Sequence, residues 1–257
     1  MPWRQTPVYQ YANHASFNGT FASTSSSELL QHGRNDSTVN IVKIYSGPLS
    51  MFGAKAEIAA REKGVAFELE MVPFSIETLY EPKHPDVLRI NPKQQVPVLV
   101  DDDLELFDST QIFEYLEDLC PEPPLWPRDA RERARARLLE LGSDEVFFAE
   151  VQLLMPRQRS AAGEDRVAEA ISAIHAYYDR MERQLGDREH LAGPFSYADI
   201  AFYLAQFYAT FLGEPPRDDQ PCLAEWRARV FARPAVAEVA GRMSAYLGDL
   251  GIPAPTV

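Results

Sequence analysis

The pattern of apolar and polar residues changes at about residue 39. Residues 1–38 are rich in Ser, Thr, Asn and Gln and have no sustained period of 2 or 3.6. After them, a β-branched and aromatic run at 41–45 predicts a strand, and small and apolar residues at helical spacing predict a helix over 50–63. Alternating apolar and acidic residues at 67–72 predict a half-buried second strand. We therefore expect 1–38 to be a disordered extension, or the product of a wrongly assigned start codon, before a β-α-β unit.

Two more strands and a helix follow in the same part of the chain. Residues 96–100 and 104–107 flank the acidic turn 101–103 and predict a hairpin. Apolar residues that fall on one face predict a helix over 109–119. Together with the β-α-β unit, these elements predict an α/β domain over 39–120.

The segment 121–127 separates this predicted domain from the rest of the chain. Four of its seven residues are prolines, which lack an amide donor and have a fixed φ angle, so neither a helix nor a central strand fits. We interpret the segment as a stiff proline-rich linker. The sequence beyond it has helical patterns, and 128–257 is predicted to be an all-α domain. The predicted helices cover 130–154, 165–185, 197–212, 223–231 and 235–247.

Four short motifs occur in order along the two predicted domains. They are the strand-to-helix turn at 45–50, the segment 91–97 that ends in Val-Pro, the pair Asp108-Ser109, and the Ser-x-x-Asp box at 196–199. Taken together they resemble the cytosolic glutathione S-transferases, in particular the serine-type members, and the chain is similar to the bacterial ones. The resemblance extends from about Val39 almost to the end and departs from the family pattern at Gln94, where the family has glycine. It implies a thioredoxin-like domain followed by an all-helical domain.

The resemblance also implies roles for two segments in binding glutathione, the implied co-substrate. Ser50 would hold the glutathione sulfur, and the pair Asp108-Ser109 would grip the γ-glutamyl group. The residue types fit these roles, because helix amides and a hydroxyl receive a carboxylate while an aspartate pairs with an ammonium group.

A second glutathione-binding segment is implied around a proline. Pro97 would follow a cis peptide bond that leaves the backbone of Val96 free to pair with a peptide-like ligand. On the local sequence alone, an ordinary trans proline at the start of a strand remains the alternative. Gln95 and Lys83 are candidates for the glycyl carboxylate, although Lys83 also fits a solvated charge in a proline-rich loop.

Ser50 is the candidate for catalysis because it lies at the first turn of a predicted helix, where free amides and the helix dipole favour an anion. A thiol with a pKa of about 8.5 is only about 3% thiolate at pH 7, and a hydroxyl hydrogen bond would help to make thiolate the major form. Ser50 could instead only cap its helix, and Tyr45 or Ser46 could stabilise the thiolate, although Tyr45 is expected to face the core. No cysteine lies between residues 44 and 56, which sets cysteine-type chemistry aside.

The electrophile needs an apolar surface near Ser50. Apolar residues that directly follow Ser50, or that lie on predicted helices of the second domain, are candidates, with ordinary core packing as the alternative for each. The predicted hydrophobic pocket consists of Met51, Phe52, Phe148, Val151, Met155, Tyr203 and Phe207. Lys55 is interpreted as a surface residue, and the box at 196–199 as a helix cap with a structural role.

Composition narrows the classes of function. With 38 acidic and 25 basic residues, the net charge of −13 disfavours nucleic acid and anionic membrane surfaces as partners. No apolar run approaches the roughly 18 residues of a spanning helix. The two cysteines, Cys120 and Cys222, form no CxxC pair, so neither a disulfide framework nor a structural zinc site fits, and a reducing cytoplasm is expected. No set of metal ligands is visible.

We therefore predict a cytoplasmic glutathione transferase that conjugates small hydrophobic electrophiles, as in detoxification, and the resemblance implies a homodimer. A glutathione-dependent β-etherase or dehalogenase is a special case of the same displacement. A non-catalytic binding module with the transferase fold is the alternative from another class. Gln94 favours that alternative if its side chain enters the cleft, whereas the presence of Ser50, Asp108 and Ser109 disfavours it.

Overall fold

The first half of the chain forms one mixed sheet of four strands in the order β2-β1-β3-β4. The computed structural model describes residues 41–255, so the predicted extension 1–38 lies outside the described residues. Strand β1 pairs in parallel with β2 and antiparallel with β3, and β3 pairs antiparallel with β4. The strands are β1 (Val42–Ser46), β2 (Phe67–Met71), β3 (Val98–Asp101) and β4 (Leu104–Phe107), and the helices of this half are α1 (Met51–Glu62), α2 (Pro85–Ile90) and α3 (Ser109–Leu119).

Different helices cover the two faces of the sheet because side chains alternate along β1. Ile44 lies in the main core, with apolar residues of α1 and α3. Its neighbour Tyr45 lies in a second, smaller core with Val72, Val87 and Val98, on the side of α2. This two-sided arrangement is the thioredoxin-like fold that the sequence predicts for the first domain.

The second half is built from helices joined by loops, as predicted, in the part of it that the structure describes. Its central element is α8, in which every residue from Tyr197 to Ala209 is buried, as expected for a helix that packs on all sides. The elements are α4 (Ala130–Leu141), a π-helical segment (Gly142–Phe147), α5 (Phe148–Gln152), α6 (Pro156–Ala162), α7 (Glu164–Leu185), α8 (Tyr197–Phe211), α9 (Pro221–Phe231) and α10 (Pro234–Asp249). None of the helices described between residues 41 and 255 is both long enough and apolar enough to cross a membrane.

The prediction of a helix over 130–154 is confirmed for residues 130–152, which are helical without a break. Within this stretch, the π-helical segment Gly142–Phe147 widens the turn and shifts the face that each later residue presents. The segment begins where packing is close, since a Cβ on Gly142 would lie 2.9 Å from the hydroxyl oxygen of Tyr177. Pro156 begins α6, because a proline at the first helical position loses no hydrogen bond.

The segment 121–127 contains neither helix nor strand, as its prolines predict, yet part of it is buried. The backbone amides of Leu125 and Trp126 each donate to the carboxylate of Glu117 on α3 at 3.1 Å. The same carboxylate accepts a hydrogen bond from the Lys63 ammonium at 2.7 Å. The Glu117 carboxylate therefore binds the linker to α3, and Lys63 completes a largely buried ion pair with it.

The capping box at the start of α8 is confirmed, with reciprocal hydrogen bonds between Ser196 and Asp199. The Asp199 carboxylate also accepts hydrogen bonds from the Leu191 amide at 3.0 Å and the Trp226 indole at 2.8 Å. Burial raises the pKa of Asp199, and these donors oppose that effect. The box thus fixes the start of α8 to both the preceding loop and α9.

Candidate active site

The segments that the sequence analysis selected meet at one edge of the sheet. In the strand registers, Tyr45 of β1 is opposite Val98 of β3, and Val98 is opposite Phe107 of β4. The carboxyl ends of β1 and β4 and the amino end of β3 therefore lie side by side. The chain segments attached to these three ends contain Ser50, Pro97 and the pair Asp108-Ser109.

Ser50 is the N-cap residue of α1. Its backbone is extended, its side-chain oxygen accepts a hydrogen bond from the Gly53 amide at 3.0 Å, and 8% of the residue is exposed. Because the amide is the donor, this bond does not use the hydroxyl hydrogen of Ser50. Capping α1 and donating to an anion at the start of α1 are therefore compatible roles for the same hydroxyl group.

Two glycines allow the close packing of the turn before α1. A Cβ on Gly47 would lie 2.4 Å from a ring carbon of Tyr80, and a Cβ on Gly53 would lie 2.1 Å from the hydroxyl oxygen of Ser46. That oxygen is buried and has no hydrogen-bond partner among residues 41–255. Ser46 is thus enclosed beneath the turn, and Ser50 is the more accessible of the two serines.

Two tyrosines that the sequence analysis missed hold Leu49, the residue before Ser50. The Leu49 amide donates to the hydroxyl oxygen of Tyr80 at 3.3 Å, and the hydroxyl of Tyr208 on α8 donates to the Leu49 carbonyl oxygen. Burial raises the pKa of both phenols, so both are protonated at neutral pH. The apolar pattern of α8 shows that Tyr208 belongs to a buried helix, but it carries no signal of a bond to a residue 159 positions away.

Tyr45, the rival of Ser50, faces the core, as predicted. It is 4% exposed and lies in the smaller core on the α2 side of the sheet. Its hydroxyl donates to Asp86 at 2.7 Å, and burial is the main cause that raises the pKa of Tyr45. The hydroxyl hydrogen of Tyr45 is therefore already engaged with a carboxylate.

The pair Asp108-Ser109 forms the beginning of α3. Asp108 caps the helix, since its Oδ1 accepts from the Thr110 amide at 3.1 Å, and its φ of 76° lies in a region that is costly for a residue with a Cβ. Its Oδ2 lies 4.0 Å from the Lys93 ammonium. The carbonyl oxygen of buried Ser109 accepts a hydrogen bond from Tyr197 at 3.0 Å. A carboxylate and a helix N-terminus are thus adjacent, which suits the two charged groups of an amino acid.

The peptide bond between Val96 and Pro97 is cis, as predicted. Asn91 organises the loop ahead of it: its side-chain amide donates to the Gln95 carbonyl oxygen at 2.5 Å, and its own carbonyl accepts from the Gln94 amide at 2.7 Å. Gln94 is exposed and has a φ of 57°, the left-handed conformation that glycine adopts at no steric cost. The loop therefore keeps its shape although glutamine replaces the usual glycine.

The two candidates for the glycyl carboxylate differ in their surroundings. Gln95 is exposed on the loop before Pro97, whereas Lys83 is half-buried and pairs with Glu81 at 3.3 Å. No group of three or more His, Cys, Asp or Glu side chains in the described part of the chain is arranged to hold a metal ion.

The residues of the predicted hydrophobic pocket fall into two sets. Five of them are at most 3% exposed and belong to the main core: Met51, Phe148, Val151, Tyr203 and Phe207. Phe52 and Met155 are half-buried at the edge of that core. The Phe52 ring packs edge-on against Phe148, with 5.6 Å between the ring centres. Phe148 packs in the same manner against Tyr208, also with 5.6 Å between the ring centres. Packing therefore accounts for the five buried residues, and the exposed parts of Phe52 and Met155 are what a ligand could touch.

The interpretation of Lys55 as a surface residue is wrong. Its side chain has no exposed area, and its ammonium lies 2.8 Å from Glu140 and also pairs with Asp144. A lysine within α1 can be buried here because two carboxylates from the helical half neutralise and solvate its charge.

Both halves of the chain match known families. Residues 44–124 match the family described as "Glutathione S-transferase, N-terminal domain", and residues 145–234 match "Glutathione S-transferase, C-terminal domain". Glutathione S-transferase U25 of Arabidopsis thaliana is 30% identical over 196 residues, which are 74% of this chain and 84% of that protein.

Other similar proteins carry different names. A stringent starvation protein A homolog of Pasteurella multocida is 27% identical over 84% of this chain and 93% of that protein. A second such homolog, from Coxiella burnetii, is 35% identical over 117 residues, so the match spans 52% of its length. Among solved structures, beta-etherase LigF from Sphingobium sp. strain SYK-6 is 26% identical with a TM-score of 0.65, covering 78% of this chain and 99% of that one.

Proposed function

Because this chain belongs to the glutathione S-transferase family, we propose that it is a glutathione transferase that conjugates small hydrophobic electrophiles. The observation that carries this proposal is the meeting of Ser50, the Val96–Pro97 bond and the pair Asp108-Ser109 at one edge of the sheet. These segments offer groups suited to a thiolate, a peptide backbone and the amino-acid end of glutathione. No metal takes part in this proposal.

In the proposed mechanism Ser50 donates its hydroxyl hydrogen to the glutathione sulfur and does not act as a base. A hydrogen bond to a charged group contributes about 1.5–3 kcal/mol, and the first turn of a helix about 0.3–1 kcal/mol. Lowering a thiol pKa from about 8.5 to about 6.5 requires about 2.7 kcal/mol. The two contributions have the size that is needed for thiolate to predominate at pH 7, and the thiolate then attacks the electrophilic carbon while the leaving group departs.

The rest of glutathione would extend from Ser50 along the same edge of the sheet. Ser109 at the start of α3 would bind the γ-glutamyl carboxylate, and Asp108 would pair with the ammonium group. The backbone of Val96 would pair with the tripeptide as a short added strand. Gln95 and Lys83 would lie toward the glycyl carboxylate.

The electrophile would lie on the apolar side of the Leu49–Ser50 turn. Phe52, two residues after Ser50, keeps exposed apolar surface there and packs on the buried ring of Phe148, which in turn contacts Tyr208. Met155, also half-buried, would add apolar surface. Such a surface selects for hydrophobic compounds without many directed polar contacts. Broad specificity of the kind needed for detoxification is the expected result.

Cleavage of a β-ether is a second candidate reaction, favoured by the likeness to LigF at 26% identity. The same thiolate would form a carbon–sulfur bond while an aryl oxide departs, instead of the halide that leaves in dehalogenation. Incubation with a β-aryl ether and with an aryl halide, followed by chromatography of the glutathione adducts, distinguishes the two.

A binding module without catalysis is the candidate from another class, because the chain is also similar, over 93% of that protein, to a stringent starvation protein A homolog, whose name states no enzymatic activity. Retention on immobilised glutathione separates it from the enzymatic proposals. A transferase is retained and eluted by free glutathione. A protein that passes through the column, with no turnover of an aryl halide, is such a module.

We propose in addition that the protein acts in the cytoplasm as a homodimer. Leu138, Leu141 and Val146 are 68%, 51% and 54% exposed on α4 and the π-helical segment, which makes an apolar surface for a second copy. Replacing Leu138 and Leu141 together by Glu should give monomers in sedimentation velocity. A wild-type monomer, or a variant that still dimerises, would contradict the proposal that this surface forms the dimer interface.

Two alanine variants test whether Ser50 and Ser109 have different roles, one in turnover and the other in glutathione binding. Ser109→Ala should chiefly weaken glutathione binding, whereas Ser50→Ala should lower turnover with a reactive aryl halide at pH 7 and leave glutathione affinity nearly unchanged. Turnover would fall about 10- to 150-fold if the thiolate population limits the rate. The same effect of both variants on KM and on kcat would count against the assigned roles.

A further inference from the structure

A largely buried group of four side chains connects the two halves of the molecule behind the γ-glutamyl site. We call it the Lys55 cluster: Lys55 of α1, Thr110 of α3, Glu140 of α4 and Asp144 of the π-helical segment. The side chains of Lys55, Glu140 and Asp144 are 0%, 6% and 9% exposed. The Lys55 ammonium also lies 4.8 Å from the centre of the Tyr197 ring.

One oxygen atom links the ion pairs to α3. Glu140 Oε1 accepts from the Lys55 ammonium at 2.8 Å and from the Thr110 hydroxyl at 2.6 Å. Thr110 is the second residue of α3, and it directly follows Ser109. Glu140 is therefore an anchor in the helical half for the turn of α3 that bears Ser109.

A second contact holds the same turn from the other side. The Tyr197 hydroxyl donates to the Ser109 carbonyl oxygen at 3.0 Å, and the Tyr197 ring stacks on Phe113 of α3 at 3.8 Å. Residues 109 and 110 are thus each bonded to a side chain of the helical half. These bonds are directional, whereas the apolar packing between α3 and that half has little directional preference.

The ammonium of Lys55 gives this anchor a positively charged partner in a buried place. An ion-paired carboxylate is a stronger hydrogen-bond acceptor for the Thr110 hydroxyl than a neutral group would be. Asp144 adds a second negative charge to the same ammonium, so the cluster has two carboxylates for one cation. Its geometry therefore places an ion-paired acceptor beneath the start of α3.

We propose that the Lys55 cluster consists of positioning residues for glutathione: through the Thr110–Glu140 hydrogen bond it holds Ser109 and Asp108 in the geometry that binds the γ-glutamyl group. This inference rests on the proposed function. It requires that loss of the bond weakens glutathione binding without altering the sulfur site at Ser50, which would receive the central cysteine of the ligand.

The test uses calorimetric titration of the full chain with glutathione and steady-state kinetics with an aryl halide. Thr110→Val, which keeps the shape and removes the hydroxyl, should raise the Kd for glutathione about tenfold, while kcat at saturating glutathione and the pKa of the bound thiol stay unchanged. Thr110→Ser restores the donor and should return the Kd to within about twofold of wild type. Glu140→Gln, which keeps a neutral acceptor, should give an intermediate Kd.

Glu117→Gln is the matched control, since it alters another largely buried lysine–glutamate pair, with Lys63, on the same helix α3. It should lower the melting temperature and leave the Kd unchanged. An unchanged Kd in Thr110→Val, failure of Thr110→Ser to restore binding, or an equal rise in Kd for Glu117→Gln overturns the inference. If wild type itself binds no glutathione, the proposed function fails, and the inference fails with it.

Discussion

The hydroxyl of Tyr208 donates a hydrogen bond to the carbonyl oxygen of Leu49. Tyr208 lies on the central helix of the second half, and Leu49 directly precedes Ser50, so the helical half holds the proposed catalytic turn by a direct bond. Tyr80 accepts from the Leu49 amide. The peptide groups on both sides of Leu49 are therefore fixed by buried phenols, which preorganises the position of Ser50.

Replacing Tyr208 by Phe should lower kcat about fivefold with an aryl halide and reduce the free energy of unfolding by about 1 kcal/mol, because one buried hydrogen bond is lost. Steady-state kinetics and urea unfolding measure the two effects. Tyr178→Phe is the control, since its hydroxyl also donates to a backbone carbonyl, that of Glu214, at 3.0 Å. An equal loss of kcat in both variants would show that Tyr208 acts only through stability.

Asp144 should make stability depend on pH in a defined direction. Burial raises its pKa to about 6, and the charge of Lys55 only partly opposes this. The folded protein therefore holds this proton between about pH 4 and 6 while the unfolded chain releases it, so the stability from this group falls as pH rises through that window. Urea unfolding of Asp144→Asn should show a stability relative to wild type that increases with pH there, by at most about 1.4 kcal/mol per pH unit. A difference in the free energy of unfolding that does not change with pH would contradict the raised pKa of Asp144.

Gln94→Gly should stabilise the fold slightly. The left-handed φ of 57° costs a residue with a Cβ about 1–2 kcal/mol, which glycine avoids. The greater freedom of glycine in the unfolded chain reduces this gain in stability by about 0.4–1 kcal/mol. A net gain of about 0.5 kcal/mol in urea unfolding is expected. Lys93→Gly, at a neighbouring position without a positive φ, should be destabilising. A loss in Gln94→Gly would mean that the side chain makes stabilising contacts.

The sequence predicts the elements whose signals are local. Alternation places Ile44 and Tyr45 on opposite faces of β1, the box at Ser196 and Asp199 starts α8 where it was expected, and the cis bond before Pro97 follows from the family resemblance. These features depend on residues a few positions apart, or on a motif that is read directly.

The features that sequence analysis missed depend on distant partners. Lys55 is buried because Glu140 and Asp144, 85 and 89 residues later, pair with it. Tyr80 and Tyr208 reach the Ser50 turn from a loop and from the second half. An apolar period shows which side chains are buried, but it does not show which buried hydroxyl or charge meets which.

The most direct test of the account is the ultraviolet absorbance of the glutathione thiolate bound to the protein, titrated from pH 5 to 9 in wild type and in Ser50→Ala, with Tyr45→Phe as the control. We predict that wild type binds glutathione with a thiol pKa well below the free value, that Ser50→Ala raises it toward about 8.5, and that Tyr45→Phe leaves it low. An unchanged thiolate pKa in Ser50→Ala, together with a raised pKa in Tyr45→Phe, would contradict the assignment of Ser50.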